Sequence, residues 1–260
     1  MRHAGRGLGG AEAPLVELAN VSKRFPDGSR ETVVLDEVSL EIGRGGSVGI
    51  YGKRRSGKST LLRIAAGIEL PDAGTVCFEG RDVTRMTTGD RGRLLRGTIA
   101  FMAAGDWRPN PRESVVDHVV TSVGSTGLTV REAKRRALRV LDQVSMTAAD
   151  AEEPTGSLSL VDRARVMLAR ALVREPRLLV VDEPTAMPSL SDREKFCALL
   201  RSATREQDMT LVVASEEMAA LQGTGVLISI ADGGVCTTEE SGKVVRFPPR
   251  RAAFGERSSS

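Results

Sequence analysis

The chain has 260 residues, of which 40% are hydrophobic and 27% charged, so it is long enough to bury a core as one large domain or two small ones. No apolar run approaches the roughly 20 residues that a membrane-spanning helix requires. The net charge of +3 comes from 37 basic and 34 acidic residues that are spread along the chain, and the aromatic residues are few and scattered. This composition does not indicate a nucleic-acid partner.

The two ends of the chain differ in composition from the rest. Residues 1–13 and 248–260 are rich in Gly, Arg, Ala or Ser without periodicity, and we expect both to be disordered tails. The first tail ends in a pattern like a signal-peptide cleavage site, but the apolar stretch that should precede it is missing, so we expect a cytoplasmic protein. Cys77, Cys197 and Cys236 lie far apart and indicate neither a disulfide framework nor a zinc site.

The elements between the tails follow two patterns. Alternating apolar and polar residues predict antiparallel strands at 15–21 and 32–42. Short apolar runs, separated by helical patterns, then predict buried strands at Ser47–Tyr51, 98–101, 178–181, 210–214 and 226–230. Alternation of buried strands with helices is typical of an α/β protein with a largely parallel sheet.

Three helix starts are predicted by capping-box patterns, which are Thr129 with Glu132, Ser159 with Asp162, and Ser191 with Glu194. Two apolar stripes support the first two helices: Ala133, Ala137, Val140, Leu141 and Val144, then Val161, Ala164, Leu168 and Leu172. Residues from about 105 to 158 hold helices without clear strands. We therefore expect a helical insertion there, within a domain that spans 14–247.

A phosphate-binding loop is predicted directly after the strand Ser47–Tyr51. The stretch from Gly52 to Thr60 matches G-x-x-x-x-G-K-[ST] and precedes an apolar helix. Such a loop turns backbone N–H groups toward a phosphate, while Lys58 adds a positive charge at the β and γ phosphates and Ser59 offers a hydroxyl to Mg²⁺. A chance glycine-rich turn before a helix is the alternative. We assign nucleotide binding to Gly52, Arg55, Ser56, Gly57, Lys58, Ser59 and Thr60.

An acidic pair ends the buried strand 178–181. Asp182 is the candidate ligand of Mg²⁺, through water, and Glu183 is the candidate group that orients or deprotonates the attacking water. A solvated pair of carboxylates is the alternative. With Lys58, Glu183 forms the predicted catalytic set.

These motifs resemble the nucleotide-binding subunits of ABC transporters over about residues 15–247. The stretch 166–172, then Pro176 and Asp182-Glu183-Pro184-Thr185, is similar to that family's RVALARAL…P…DEPT block. Residues 82–84 and 94–101 are similar to the subgroup that serves lipoprotein release and macrolide export.

The resemblance implies a P-loop NTPase (RecA-like) core with an antiparallel β subdomain and a helical subdomain. It implies that Phe25, in a stretch like the family's aromatic loop, stacks on adenine. It also implies a homo- or heterodimer that sandwiches ATP and drives an integral membrane permease, with the subunit peripheral on the inner face of the membrane. In the family, the neighbourhood of Trp107 receives the membrane partner, although a locally packed Trp is the alternative.

This sequence departs from the family pattern at positions that act on the γ-phosphate. The family's signature L-S-G-G-Q is replaced here by Leu158 to Asp162, which read L-S-L-V-D. In the family, the two glycines allow backbone N–H groups to approach a phosphate closely, and this chain lacks them. Asp162 adds a negative charge in the first helical turn, so Ser159 is expected to be a helix cap. Ala104 stands at the position of the family's glutamine, and Ser215 at the position of its switch histidine.

Two further departures concern neighbouring loops. The loop after Thr185 reads Ala186-Met187-Pro188-Ser189 and lacks the family's aspartate, and Arg55 replaces a P-loop glycine. Lys53, Arg54 and Arg55 either favour polyphosphate binding or are solvated. We therefore expect an ATP-binding transporter subunit, with export as the expected direction, that hydrolyses ATP slowly; the alternatives are a non-catalytic ATP-binding paralogue and, with less support, a P-loop kinase.

Overall fold

The computed structural model describes residues 13–28, 30–124, 127–184, 187 and 189–238. The predictions for the two tails lie outside these residues except at Ala13. Thr185, Ala186, Pro188 and the expected end of the domain at Phe247 also lie outside them.

Two sheets make up the strand structure of the described residues. The antiparallel sheet has the order β2-β1-β4-β5, and the other sheet has the order β10-β9-β3-β8-β7-β6. The strands are β1 (Val16–Asp27), β2 (Arg30–Ile42), β3 (Ser47–Tyr51), β4 (Ala73–Phe78), β5 (Arg81–Asp82), β6 (Ile99–Ala103), β7 (Leu178–Asp182), β8 (Thr210–Ser215), β9 (Val226–Ala231) and β10 (Gly234–Thr238).

The helices of the described residues lie between these strands. They are α1 (Lys58–Ala65), α2 (Thr88–Arg96), α3 (Val115–Val120), α4 (Val130–Gln143), α5 (Ala148–Glu152), α6 (Leu160–Leu172), α7 (Leu190–Glu206) and α8 (Met218–Leu221). None of them is long and apolar enough to cross a membrane.

The larger sheet is parallel from β6 to β9, and β10 pairs antiparallel with β9. Its strand β7 is buried along its whole length, as a parallel strand covered on both faces must be. Successive side chains point to opposite faces: Leu178 and Val180 join the apolar cluster of α1 and the antiparallel sheet, whereas Leu179 and Val181 join the cluster of the helices. The strand therefore holds two layers together.

The carboxyl ends of β3, β8 and β7 lie side by side in this sheet. The loop that begins at Gly52 follows β3, Asp182 ends β7 and Ser215 ends β8. Open α/β sheets bind ligands at this edge, so the fold brings the predicted motifs together.

The predicted strands are confirmed, with ends that differ by a few residues and most at the first strand, which runs to Asp27. The capping box of α4 and the cap of α6 are also confirmed. Helices occupy the range expected for the helical insertion, whose boundaries stay a prediction. The sequence patterns do not predict strands β4, β5 and β10 or helices α2 and α8.

The predicted start of α7 is wrong by two residues. Ser189, not Ser191, caps this helix, and its hydroxyl accepts from the backbone N of Asp192 at 3.1 Å. Both serines are followed three residues later by an acid, so the pattern fits twice. With the start at Ser189, Asp192 stands in the first turn of the helix.

Candidate nucleotide-binding site

The loop between β3 and α1 has the backbone shape that its glycines permit. Gly57 caps α1 with φ 98°, and a Cβ there would lie 2.9 Å from the carbonyl oxygen of Val34. A Cβ at Gly52 would lie 2.5 Å from Ser56 Oγ. Arg55 has φ 63°, the left-handed region that glycine adopts without steric cost, which explains why its replacement of a glycine is unusual. The loop closes tightly under the start of α1.

Lys58 spans the loop from the first turn of α1. Its Nζ donates to the carbonyl oxygens of Gly52 at 2.8 Å and Lys53 at 3.0 Å, and only 5% of the residue is exposed. No side chain caps α1, so the first-turn N–H groups have no side-chain acceptor. Ser59 is exposed and Thr60 half-buried in the same turn. A helix start of this kind attracts anions.

The acidic pair faces this loop across the sheet edge. Asp182 is 9% exposed, and its Oδ1 is buried without a hydrogen-bond partner. Glu183 Oε1 lies 3.2 Å from Lys58 Nζ, close enough for an ion pair although outside hydrogen-bond geometry. The structure thus brings Lys58, Asp182 and Glu183 together, as the motifs predicted.

The second oxygen of Glu183 is held by the end of β8. Its Oε2 accepts from Ser215 Oγ and from the backbone N of Glu216, both at 3.3 Å. Glu183 itself has φ 52°, and its backbone N donates to Ala214 O at 2.9 Å. The serine at the switch-histidine position therefore contacts the acid directly. Sequence reasoning missed this contact, because no local pattern links two strand ends.

Two buried polar atoms without hydrogen-bond partners indicate whether these residues fit Mg²⁺ and a nucleotide. Ser56 Oγ, inside the loop, and Asp182 Oδ1 are buried without partners. A buried polar group left unpaired costs about 1–3 kcal/mol, so such atoms are expected where a ligand completes the site. A hydroxyl and a carboxylate oxygen suit a hydrated Mg²⁺ and a polyphosphate. The residues present fit both groups.

Phe25 lies near the far end of β1, in the part of that strand that pairs with β2 but not with β4. It pairs with Thr32 on β2, two residues before the Val34 that contacts Gly57. Its ring is 38% exposed, with Lys23 Nζ 5.4 Å from the ring centroid. An exposed ring is available for stacking on a base, and the predicted role of Phe25 stays a prediction.

The side chain of Ser159 caps the N-terminus of α6. Ser159 Oγ accepts from the backbone N of Asp162 at 3.2 Å and donates to the Asp162 carboxylate at 2.6 Å. Asp162 also lies 3.2 Å from Arg165. The predicted role of Ser159 as a helix cap is confirmed. The next residue, Leu160, presents a 55% exposed side chain at the position of the first signature glycine.

The loop that contains Trp107 follows β6 and a short 3₁₀ turn, Ala104–Asp106. The half-buried Trp107 ring meets the edge of His118, with ring centroids 5.5 Å apart. His118 Nδ1 lies 3.0 Å from Glu113 Oε2, and its Nε2 is buried without a partner. Burial, and then the charge of Arg170, lower the pKa of His118.

Comparison with known proteins identifies the family. The family model described as ABC transporter matches residues 35–186. The methionine import ATP-binding protein MetN of Rhizobium etli is 33% identical over 224 residues, covering 86% of this chain and 60% of its own length. The lipoprotein-releasing system ATP-binding protein LolD of Oleidesulfovibrio alaskensis is 31% identical over 201 residues, covering 77% of this chain and 86% of its own length.

A solved structure supports the same conclusion. A dimeric ATP-binding cassette in a post-hydrolysis state, bound to ADP and Pi, has a TM-score of 0.77 at 26% identity and covers 85% of this chain and 96% of its own. The chain belongs to the ABC transporter family and has the fold of its ATP-binding cassettes. The resemblance to the lipoprotein-release and macrolide-export subgroup is also confirmed, although methionine importers match at similar identity.

Proposed function

We propose that this chain binds Mg·ATP at the loop from Gly52 to Thr60 and serves as the ATP-binding subunit of an ABC exporter. The observation that carries the proposal is the meeting of Lys58, Glu183 and the unpartnered Asp182 Oδ1 beside an uncapped helix start. Ser59 and Asp182 are the residues that would hold Mg²⁺, which neutralises phosphate charge when bound. Phe25 supplies a ring for the base, and Thr60, Gly57 and Ser56 supply groups of the phosphate cradle.

In this proposal, Lys58, Glu183 and the start of α6 have separate roles in nucleotide binding and hydrolysis. When a nucleotide binds, Lys58 leaves its ion pair with Glu183 and contacts the β and γ phosphates instead. Glu183, then held by Ser215 and the Glu216 N–H, is the group that orients water. The capped start of α6 offers no glycine backbone to a partner's phosphate, so hydrolysis by two copies of this chain is slow.

The subunit acts through partners. It pairs with a second ATP-binding subunit and sits on the cytoplasmic face of the membrane by contact with a permease. Support comes from the family itself and from the dimeric cassette of similar fold. The export direction rests on the similarity of residues 82–84 and 94–101 to the lipoprotein-release and macrolide-export subgroup.

Ligand linkage tests nucleotide binding. Mg·ATP at about 100 times its Kd raises the free energy of unfolding by roughly 2.7 kcal/mol. With Mg·ATP, we expect a higher Tm for the wild type and almost no shift for Lys58→Ala. The control Lys134→Ala removes an exposed ion pair between α4 and α5, and its Tm should rise as that of the wild type does. A wild-type melt that millimolar Mg·ATP leaves unmoved contradicts the proposal.

Cross-linking tests the docking loop. Trp107 is half-buried and packs against the helix-side core. Since Trp is a frequent anchor of protein interfaces, a photoreactive residue at position 107 is expected to capture an integral membrane protein in cells. The same residue at position 131, exposed on α4, is the control. Capture of soluble proteins alone from position 107 contradicts docking at this loop.

A further inference from the structure

A small cavity of about 160 Å³ lies between the first turns of α6 and the carboxyl ends of β6 and β7. Its apolar lining includes three methionines, a Trp, a Leu and a Val, which are Met102, Met167, Met187, Trp107, Leu160 and Val181. Met102 and Met187 are buried, and Trp107 and Met167 are half-buried. We call this cavity the methionine pocket.

The methionine pocket is separate from the phosphate-binding loop. No residue from Gly52 to Thr60, all of which the structure describes, lines it. Asp182 and Glu183 border it, but side chains alternate along β7, so Val181 points to the helices and Asp182 points to the side of α1. The Glu183 carboxylate is engaged by Lys58 and Ser215. The pocket is therefore an apolar space of its own on the helix side of the sheet.

The size and the lining of the methionine pocket determine the shape of ligand that fits. An apolar cavity of about 150 Å³ stays free of water and takes a single aromatic ring. Methionine sulfur atoms make favourable contacts with aromatic rings, and a Trp side chain packs against such a ring edge-to-face or offset. Because three methionines and Trp107 line this pocket, one aromatic ring is the group that it suits.

Arg163 adds a positive charge to the lining of this pocket. Its side chain is half-buried, and its Nε donates to the carbonyl oxygen of Leu158 at 3.0 Å. Within the described part of the chain, no acidic side chain lies within ion-pair distance of Arg163, since the neighbouring Asp162 pairs with Arg165 at 3.2 Å. The terminal N–H groups of a guanidinium bind a carboxylate through two parallel hydrogen bonds. Arg163 therefore favours a ligand that carries a carboxylate beside its ring.

We infer that the methionine pocket binds a small aromatic carboxylate, with its single ring among Met102, Met187 and Trp107 and its carboxylate on Arg163. One ring and its carboxylate fill a volume of about 160 Å³, so the ligand is a free small molecule rather than a segment of a protein. This site goes beyond the proposed function, because it requires neither a nucleotide nor a membrane partner.

Titration with phenylacetate, without nucleotide, is the first step of the test. Trp107 is the only Trp of the chain and lines the pocket, so its fluorescence reports on this place in the structure. We expect a saturable change with a Kd of about 1 mM or tighter, as suits a ligand of about ten heavy atoms. Acetate, which lacks the ring, should leave the fluorescence unchanged. The absence of a saturable change with phenylacetate, or an equal change with acetate, overturns the inference.

The second step tests the carboxylate contact. Phenylacetamide keeps the ring but has no charge, so the wild type should bind it about tenfold more weakly than phenylacetate. Arg163→Gln should bind both probes equally, at the affinity that the wild type has for phenylacetamide. Arg165→Gln, the same change at a residue of α6 that does not line the pocket, is the control and should behave like the wild type. An Arg163→Gln variant that still prefers phenylacetate overturns the inference.

The third step tests the position of the ring. Ala164 is half-buried and lines the pocket, so Ala164→Leu fills the space and should abolish binding of phenylacetate and of phenylacetamide. The Tm of each variant without a probe checks that it is folded. Ala164→Met, whose flexible side chain adapts to its surroundings, is the milder variant and should weaken binding of both probes. If a folded Ala164→Leu or Ala164→Met variant binds phenylacetate as the wild type does, the ring lies elsewhere and the inference fails.

Discussion

The two oxygens of the Glu183 carboxylate have different partners in this protein. One oxygen lies 3.2 Å from Lys58 Nζ, and the other accepts two hydrogen bonds from the end of β8. The acid motif was predicted from the sequence, but its partner Ser215 was not. Ser215 is fully buried, so its hydroxyl must find polar partners inside the protein, and the adjacent carboxylate is one of them.

The buried imidazole of His118 makes a residue-scale prediction about pH. Because the folded-state pKa lies below its ordinary value of 6.5, the unfolded chain takes up the proton first as the pH falls. The stability that the neutral ring contributes is complete above the unfolded pKa and is lost as the pH falls through and below it. The groups that face the ring are Glu113, which opposes this shift, and Arg170, which adds to it.

Urea unfolding at about pH 7.5 and about pH 5.5 measures this effect. The wild type should lose more stability between the two values than His118→Gln does. His3→Gln changes the chain's only other histidine and should behave like the wild type. Equal losses for His118→Gln and the wild type would assign the pH dependence to other groups.

At the scale of elements, the start of α6 decides what this helix offers to a partner. A glycine-rich start leaves backbone N–H groups open to a phosphate, whereas this start satisfies the N–H of Asp162 with its own serine. The capping pattern was predicted correctly from local sequence. The double pattern at the start of α7 is not resolved by local sequence, because Ser189 and Ser191 are each followed three residues later by an acid.

Removal of the α6 cap should cost stability. Ser159→Ala is expected to lower the free energy of unfolding by about 1 kcal/mol, since an N-cap acceptor is lost. Ser202→Ala, an exposed serine within α7, should change it by less than about 0.5 kcal/mol. Denaturant unfolding with equal m-values compares the two. A Ser159→Ala variant as stable as Ser202→Ala would show that the cap contributes little.

For the whole molecule, the order of strands explains why the catalytic residues that are present meet in space. The parts that lie within one subunit, Lys58, Asp182 and Glu183, meet at one edge of the sheet. The departures include the signature glycines, which the resemblance assigns to a facing subunit, and also the glutamine and switch-histidine positions of this subunit, where Ala104 and Ser215 stand. Binding and hydrolysis are therefore expected to separate in this protein.

A turnover measurement tests that separation. Loss of one preorganised donor to the reacting phosphate commonly lowers the rate about 10²–10³-fold, so the purified chain alone should hydrolyse ATP slowly. An ATP-binding subunit with an intact glycine signature should raise the rate by completing the site at Gly52 to Thr60. Glu183→Gln in this chain should remove that increment. Fast turnover by the chain alone, abolished by Glu183→Gln, would show that its own α6 is competent.

The sequence by itself determined the phosphate loop, the acidic pair, the central strands and the cap of α6. Each depends on residues that are neighbours along the chain or repeat with the period of one element. Tertiary structure decided the partner of Glu183, which is Ser215, and the surroundings of His118, which are Glu113 and Arg170. Ser215 and Glu183 meet because parallel strands far apart in sequence pair side by side, and Arg170 reaches His118 from another helix, so no local pattern contains these contacts.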